Sequence, residues 1–294
     1  MYAAKARGKG RYALYEPRMY ATLADRLELE HDLHDAVDQH ELGVYFQPIL
    51  SLAGGHPVAV EALVRWHHAT RGPVGPDRFI PLAERTGLID LIGQRVLHEA
   101  CREARAWGNG DPTKPAIGVA VNISGHELDD PLLAEKIGVV LDDSGLDPKR
   151  LILEITESAF VDRELGIDRL QELRRLGPRL SIDDFGTGHS SLSHLHRLPV
   201  DMLKIDQVFI EGLRRGSHQV SLVQAIVSIC RSLGLTPVAE GVEHAEQVRE
   251  LRRMGCELAQ GFYFARPAEP DRISSWLAAG APWVGQAPSA PAAS

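Results

Sequence analysis

The segment that decides the fold, residues 151–184, reads LILEITESAFVDRELGIDRLQELRRLGPRLSIDD. Two short apolar runs, 151–156 and 179–184, enclose a stretch with helical spacing over 167–176, and Gly177 stands where that helix should stop. A helix between two strands forms the crossover that parallel strands require. The segment therefore predicts one β-α-β unit of a parallel sheet.

The same alternation continues on both sides of this unit. Strands are predicted over 44–50, 58–66, 117–122, 151–156, 179–184, 202–205, 236–240 and 258–262. Helices are predicted over 91–107, 132–141, 167–176, 221–233 and 246–254. Gly108, Gly145, Gly177, Gly234 and Gly255 stand where these helices should stop. Eight such units suit one closed α/β barrel, a fold that typically takes about 250 residues.

The two ends of the chain differ from this pattern. Residues 1–16 are basic and look like a tail, and residues 17–42 carry the spacing of a connecting helix. Residues 286–294 contain only small residues, proline and one glutamine, so they cannot bury enough apolar area to order themselves. We expect a disordered tail there.

Composition narrows the class of protein. The net charge of −8 and the pI near 5.9 disfavour a nucleic-acid polymer as partner. The three cysteines are odd in number and lack paired spacing, as expected of reduced thiols. The chain has no apolar run of about 18 residues and no signal-peptide pattern. We expect a cytoplasmic protein, or the cytosolic part of a membrane-anchored one.

Polar side chains close nearly every predicted strand. They are Gln47, Glu61, Arg65, Asn122, Glu154, Glu157, Asp183, Asp184, Lys204, Asp206, Glu240, Glu243 and Gln260. Strand ends of a parallel barrel meet at one mouth, where active sites are built. The five carboxylates of residues 61, 154, 183, 184 and 240 would repel one another there unless cations lay between them.

The donor types indicate which cations to expect. Carboxylates and the Asn122 amide favour Mg²⁺ or Mn²⁺ over Zn²⁺. His67 and His68 are adjacent, so on a strand they face opposite ways and make a poor chelate. Lys204 ends an apolar strand, and a lysine there needs a reason. One reading is a salt bridge to a barrel carboxylate, and the other is that Lys204 orients an attacking water or stabilises charge on a phosphoryl oxygen.

An ordered series of motifs resembles the EAL domain family. The motifs are FQPI (46–49), EALVRW (61–66), FIPLAE (79–84), VNIS (121–124), EITES (154–158), DDFGTG (183–188), KID (204–206), AEGVE (239–243) and QGF (260–262). The three letters EAL alone are weak evidence, whereas the whole series over residues 25–277 is specific. The departure is His189, where the family more often has tyrosine.

The resemblance implies a TIM-like (β/α)8 barrel whose first strand runs antiparallel to the others. It also implies hydrolysis of the bacterial second messenger cyclic di-GMP to linear pGpG with two Mg²⁺ or Mn²⁺ ions. Ca²⁺ is expected to bind without supporting catalysis well. The family commonly pairs through the barrel, so a homodimer is a further expectation.

The resemblance also assigns roles to residues. The implied metal ligands are Glu61, Asn122, Glu154, Asp183 and Asp184, with Glu240 near the second ion as ligand or base. Besides Glu61 and Glu240, the catalytic set includes Lys204, which would hold the water. The implied substrate contacts are Arg65 at a phosphate, with Gln47, Leu63, Glu243 and Gln260. Glu157 would hold the DDFGTG loop in shape, and Asp206 would lie behind the ligands.

Residues 1–16 show a second resemblance, to the end of a GGDEF (diguanylate cyclase) domain without its catalytic part. The chain would then be the C-terminal part of a longer GGDEF–EAL protein. The main rival to an enzyme is a catalytically silent module that binds cyclic di-GMP or a protein partner. A different carboxylate-metal barrel would explain the strand-end acids, but not the order of the motifs.

Overall fold

The structure, a computed structural model, describes residues 17–39, 41–107, 116–159, 164–186 and 195–279. The predicted GGDEF remnant, the predicted disordered tail, Gly108 and His189 lie outside these residues.

The described strands form one sheet. They are β1 (Leu42–Ser51), β2 (Pro57–His68), β3 (Gly72–Val74), β4 (Gly118–Ile123), β5 (Leu151–Thr156), β6 (Arg179–Phe185), β7 (Met202–Ile205), β8 (Thr236–Ala239) and β9 (Leu258–Ala259). Eight strands close a ring in the order β1-β2-β4-β5-β6-β7-β8-β9, and β3 extends β2 as a hairpin outside it. β1 is antiparallel to both of its neighbours, whereas the other pairings around the ring are parallel. The predicted TIM-like barrel with an antiparallel first strand is confirmed.

Helices follow most of the strands. They are α1 (Pro17–Asp38), α2 (Pro76–Thr86), α3 (Leu88–Trp107), α4 (Gly125–Asp129), α5 (Leu133–Ser144), α6 (Glu164–Arg175), α7 (Gln207–Glu211), α8 (His218–Leu233), α9 (Ala245–Met254) and α10 (Pro270–Ala279). The predicted glycine stops at Gly145, Gly234 and Gly255 end α5, α8 and α9 in the left-handed conformation. None of the described helices is both long and apolar enough to cross a membrane.

Two predicted segments extend past the observed element by more than one residue. The predicted strand 258–262 ends at Ala259, because the backbone turns at Gly261 and passes so close to Val242 that a Cβ there would lie 2.1 Å from the Val242 carbonyl oxygen. The predicted connecting helix 17–42 contains α1, which ends at Asp38, and Leu42 already opens β1.

A small apolar layer fills the barrel below its mouth. It consists of Ile49, Ala59, Ala120, Ile152, Met202 and Val238, all buried and clustered together. Side chains on a strand alternate between its two faces, so the residue two positions further along faces the same way. Two positions beyond this layer on the parallel strands stand the polar residues 61, 122, 154, 204 and 240. β1 runs the other way, and its Gln47 stands two positions before Ile49.

Trp66 joins the barrel to its outer layer on the opposite face of β2. Its side chain is 1% exposed, packs edge-to-face on Phe79 of α2, and donates a hydrogen bond from Nε1 to Glu41 Oε2 at 3.0 Å. Deleting an aromatic side chain from such a position leaves a cavity and an unpaired acceptor.

Trp66→Ala should therefore lower the free energy of unfolding by about 3–5 kcal/mol. Leu91→Ala on α3 is the control, since Leu91 is 54% exposed and its truncation should change stability by less than about 0.5 kcal/mol. Urea unfolding followed by circular dichroism measures both. Equal effects of the two substitutions would contradict the packing described.

Candidate active site

The polar ends of the strands meet at the carboxyl end of the parallel strands. Asn122 lies beside Glu154 in the pairing of β4 with β5, and Gln47 lies opposite Glu61 in the pairing of β1 with β2. Glu240 directly follows β8, where its N–H donates to the Ile205 carbonyl at 3.1 Å. The mouth therefore gathers side chains that are far apart in sequence.

Lys204 lies at the centre of this group, and its side chain is almost completely buried. Its Nζ contacts four carboxylates, with distances of 2.7 Å to Glu154 Oε2, 2.7 Å to Glu240 Oε1, 3.4 Å to Asp183 Oδ1 and 3.6 Å to Glu61 Oε2. The predicted salt bridge to a barrel carboxylate is present, and it extends to four strand ends. One ammonium thus links four carboxylates that would otherwise repel one another.

Amide side chains fix the orientation of Glu61. Asn122 Nδ2 donates to Glu61 Oε1 at 2.9 Å, and Gln260 Nε2 donates to Glu61 Oε2 at 2.7 Å and to Gln47 Oε1 at 3.0 Å. With its nitrogen on Glu61, the Asn122 amide has its carbonyl oxygen available to a cation. The buried Gln260 Oε1 has no hydrogen-bond partner among the described residues. Such an orphan acceptor at a site mouth fits a site that receives a further group.

Asp183 and Asp184 share the mouth through a distortion of β6. The register with β7 shifts between Ile182 and Phe185, and Asp184 has a φ of 55°. The Asp184 N–H donates to Asp183 Oδ1 at 2.9 Å. A regular strand would direct the two side chains to opposite faces, so this bulge gives both aspartates access to the same site.

Glu157 supports the start of the loop that follows. It directly follows β5, is buried, and accepts a hydrogen bond at Oε2 from the Gly186 N–H at 2.8 Å. The later part of the DDFGTG motif, from Thr187, lies outside the described residues.

Carboxylate oxygens of Asp183, Asp184 and Glu240 lie within 4.8 Å of one another, and no other group of three such ligands is found in the described part of the chain. Glu61 and Glu154 contact Asp183 and Glu240 indirectly, through Lys204. The donors are all oxygen atoms, and their formal negative charge exceeds the single positive charge of Lys204. This donor set fits hard divalent cations.

Burial and the excess of negative charge shift the pKa values of the acids and of Lys204 in this site. Burial and the charges of Asp183 and Glu61 raise the pKa of Glu240 to about 8, although Lys204 opposes the shift. Burial, Asp183 and Asp206 raise the pKa of Asp184 to about 6. Burial would lower the pKa of Lys204, but its carboxylate neighbours outweigh burial and raise that pKa well above its ordinary value. The ammonium therefore stays charged, and Glu240 and Asp184 hold protons unusually strongly. Burial would also raise the pKa of Glu61, but Lys204 and the Gln260 amide outweigh burial and lower it.

The residues predicted to contact a substrate lie in different settings. Arg65 is partly buried on β2 and donates from Nη1 to the Val64 carbonyl at 2.9 Å, and Leu63 is partly buried between Arg65 and Glu61. Gln47 is buried and donates to the Ala265 carbonyl at 3.0 Å. Glu243 is exposed after β8. Their roles toward a substrate stay predictions.

Three residues remain from the sequence analysis: Asp206, predicted to lie behind the ligands, and His67 and His68, predicted to make a poor chelate. Asp206 accepts the Val208 N–H at 2.7 Å at the start of α7, and its carboxyl also interacts with Asp184. His67 is exposed, and His68 pairs with Asp32 of α1 at 2.9 Å. Neither histidine belongs to the acidic group that the structure describes.

One supporting feature was not predicted from the sequence. Ser124 and Glu127 form a reciprocal capping box at the start of α4, two residues beyond Asn122. The signal for it was present as the pattern S-x-x-E, which is typical of helix N-termini.

The metal-free protein should lose stability as the pH rises from about 5 to about 8. The ordinary pKa of glutamate is 4.5, so between that value and about 8 the unfolded chain has released the Glu240 proton that the folded protein still holds. Each pH step in this window then favours the unfolded chain. Melting temperatures measured in EDTA across the range test this.

Glu240→Gln should make the decline shallower, the remainder coming from Asp184 and Glu127, whose pKa values are also raised. Glu135→Gln, at an exposed glutamate of α5, should leave the decline unchanged. A melting temperature that rises over the same range, in a manner independent of Glu240, would contradict the charge balance described.

Comparisons with known proteins agree with this geometry. The model of the EAL domain family matches residues 30–267. "Bifunctional diguanylate cyclase/cyclic di-GMP phosphodiesterase MucR" of Pseudomonas aeruginosa is 41% identical over 279 residues, which cover 95% of this chain and 40% of that protein. "Cyclic di-GMP phosphodiesterase NbdA" of the same species is 39% identical over 280 residues, covering 95% of this chain and 36% of that protein.

A solved structure described as "PaMucR Phosphodiesterase, c-di-GMP complex" has a TM-score of 0.79 and 42% identity, covering 84% of this chain and 99% of that one. The chain spans well under half the length of the curated relatives it matches. The match to the family model extends from α1 to the segment between β9 and α10 and includes every strand of the barrel. The chain belongs to the EAL domain family.

Proposed function

We propose that this chain hydrolyses cyclic di-GMP to linear pGpG with the help of two Mg²⁺ or Mn²⁺ ions. The observation that carries the proposal is the cluster at the barrel mouth, in which Lys204 contacts four carboxylates from four strand ends. The names of the relatives MucR and NbdA support the substrate, since both are described as cyclic di-GMP phosphodiesterases.

The cations would be held by Glu61, Asn122, Glu154, Asp183 and Asp184, with Glu240 beside the second ion. When bound, two such ions lower the pKa of a water and neutralise the phosphoryl oxygens during in-line attack. Without cations, burial and the neighbouring carboxylates raise the pKa of Glu240 to about 8. A cation beside Glu240 would lower this pKa, so that the carboxylate could accept the proton of the attacking water.

Lys204 would serve both roles predicted for it, the salt bridge to barrel carboxylates and the contact with a water or a phosphoryl oxygen. An ammonium has three N–H donors, and two of them are directed at Glu154 and Glu240 at 2.7 Å. The third has only longer contacts, 3.4 Å to Asp183 Oδ1 and 3.6 Å to Glu61 Oε2, and would turn to a water or a phosphoryl oxygen. Its carboxylate neighbours hold the amine in place, and burial strengthens its interaction with any developing negative charge.

The substrate would be held by groups that border this cluster. The guanidinium of Arg65 suits a phosphate, with which it forms paired charge-assisted hydrogen bonds. Glu243 is a carboxylate acceptor, suited to the N–H groups of a guanine, and Gln47 and Gln260 add amides at the rim. Leu63 adds apolar contact on the same face of β2.

We also infer an upstream GGDEF-like domain in a longer parent protein that works in the cytoplasm. The name of MucR, which includes a diguanylate cyclase, and the 40% of that protein that the chain spans support this inference. Pairing of two barrels into a homodimer stays a prediction.

Purified protein with Mn²⁺ or Mg²⁺ should convert cyclic di-GMP to pGpG, as measured by chromatography of the nucleotides. Glu61→Ala should abolish turnover because it removes a ligand and a partner of Asn122, Gln260 and Lys204. Glu135→Gln is the matched control and should retain activity. Ca²⁺ should support little turnover.

Binding of cyclic di-GMP without any pGpG would reject the enzymatic proposal in favour of a silent binding module. Hydrolysis that persists in EDTA would reject its dependence on divalent cations.

Glu157→Ala should reduce turnover by about 10- to 100-fold with little change in secondary structure. The physical reason is the loss of the only described hydrogen bond to the Gly186 N–H, which ties the end of β6 to β5. Initial rates and circular dichroism measure the two effects. Full activity in this variant would show that the bond does not support the site.

A further inference from the structure

The turn after Asn122 is held by an unusually buried carboxyl group. Glu127 of α4 is 7% exposed. Its Oε2 accepts hydrogen bonds from the Ser124 N–H at 2.9 Å and from the Ser124 hydroxyl at 2.7 Å, while the Glu127 N–H donates to Ser124 Oγ at 3.2 Å. These reciprocal bonds close the turn two residues beyond a proposed metal ligand.

The backbone of α3 approaches the other oxygen of the same carboxyl group. A Cβ added at Gly93 would lie 2.0 Å from Glu127 Oε1. Any side chain at position 93 would therefore displace the carboxyl group, which is the mobile end of its side chain. Gly93 and Glu127 also line a small cavity between α3 and α5, together with Ile123 at the end of β4.

Charged groups of α3, α4 and α5 lie near this carboxyl. Asp90 of α3 pairs with His126 at 3.1 Å, and Asp130 pairs with Lys136 of α5 at 2.7 Å. Burial, assisted by Asp90, raises the pKa of Glu127 to about 7 against the hydrogen bonds from Ser124. Burying this carboxyl is unfavourable, and its hydrogen bonds to Ser124 offset part of that cost and fix the side chain in the turn.

Asn122 needs such support. Its side chain is exposed, and the one side-chain hydrogen bond described for it joins Nδ2 to Glu61 at 2.9 Å. A cation requires the amide to present its oxygen and not its nitrogen, so the backbone that aims this side chain must be fixed.

We propose that Glu127 is a positioning residue for Asn122, which it holds in the cation-binding orientation through Ser124 and the turn at the end of β4. Gly93 is the position that makes room for it. The inference rests on the proposed function, in which Asn122 is a metal ligand.

Three substitutions separate positioning from general stability. Glu127→Ala removes the acceptor, whereas Glu127→Gln keeps an oxygen of the same reach and should restore the turn. Gly93→Ala leaves Glu127 in the chain but displaces its carboxyl group. Alanine normally favours a helix interior over glycine, so helix propensity alone would make Gly93→Ala stabilising.

The dissociation constant of Mn²⁺, measured by calorimetry on the whole chain without nucleotide, is the readout. Glu127→Ala and Gly93→Ala should weaken Mn²⁺ binding by about 10- to 100-fold, and Glu127→Gln should stay within about threefold of the unchanged protein. Asp147→Ala is the matched control. It removes a cap from the short 3-10 helix before β5, at the opposite end of the barrel, and should leave Mn²⁺ affinity unchanged.

A double-mutant cycle with Asn122→Ala tests whether Glu127 acts on the cation through Asn122. Glu127→Ala should weaken Mn²⁺ binding no further once Asn122 is gone. Unchanged affinity in Glu127→Ala, equal losses in Asp147→Ala, additive losses in the cycle, or no effect of Asn122→Ala would each overturn the inference. Because no step requires turnover, these outcomes are independent of pGpG formation, which tests the proposed function itself.

Discussion

The buried Lys204 ammonium is the interaction on which the rest of the mouth depends. Bringing carboxylates from β2, β5, β6 and the end of β8 together is strongly unfavourable without a positive charge between them. Lys204 supplies that charge at 2.7 Å from two of them. Burial raises the pKa values of Glu154, Glu240 and Asp184, and the excess of negative charge that a single ammonium leaves raises them further. The fold thus closes the barrel and leaves a site that attracts cations.

The barrel interior consists of two successive layers, because side chains two residues apart on a strand face the same way. The apolar layer of Ile49, Ala59, Ala120, Ile152, Met202 and Val238 excludes water below the mouth. Two residues further along the parallel strands, the same face carries the polar groups. Because β1 runs in the opposite direction, its contribution, Gln47, precedes its apolar residue. A low-dielectric floor under a charged mouth strengthens each electrostatic interaction there.

The sequence allowed much of this to be predicted, for physical reasons that can be named. Apolar runs and helical spacing predicted the barrel, and the polar residue at each strand end predicted the mouth. Periodicity carries no information on strand direction, so the antiparallel β1 came from the family resemblance alone. The short α4 and α7, of five residues each, were missed because they show less than two turns of any periodic pattern.

The distortion of β6 at Asp184 depends on its register with β7, which the sequence pattern does not reveal. Anomalous diffraction from crystals grown with Mn²⁺ tests the proposed two-cation site at these strand ends. Two anomalous peaks are expected at the barrel mouth, bordered by Glu61, Asn122, Glu154, Asp183 and Asp184. An absence of peaks at the mouth, or Mn²⁺ bound only elsewhere on the protein, would contradict it.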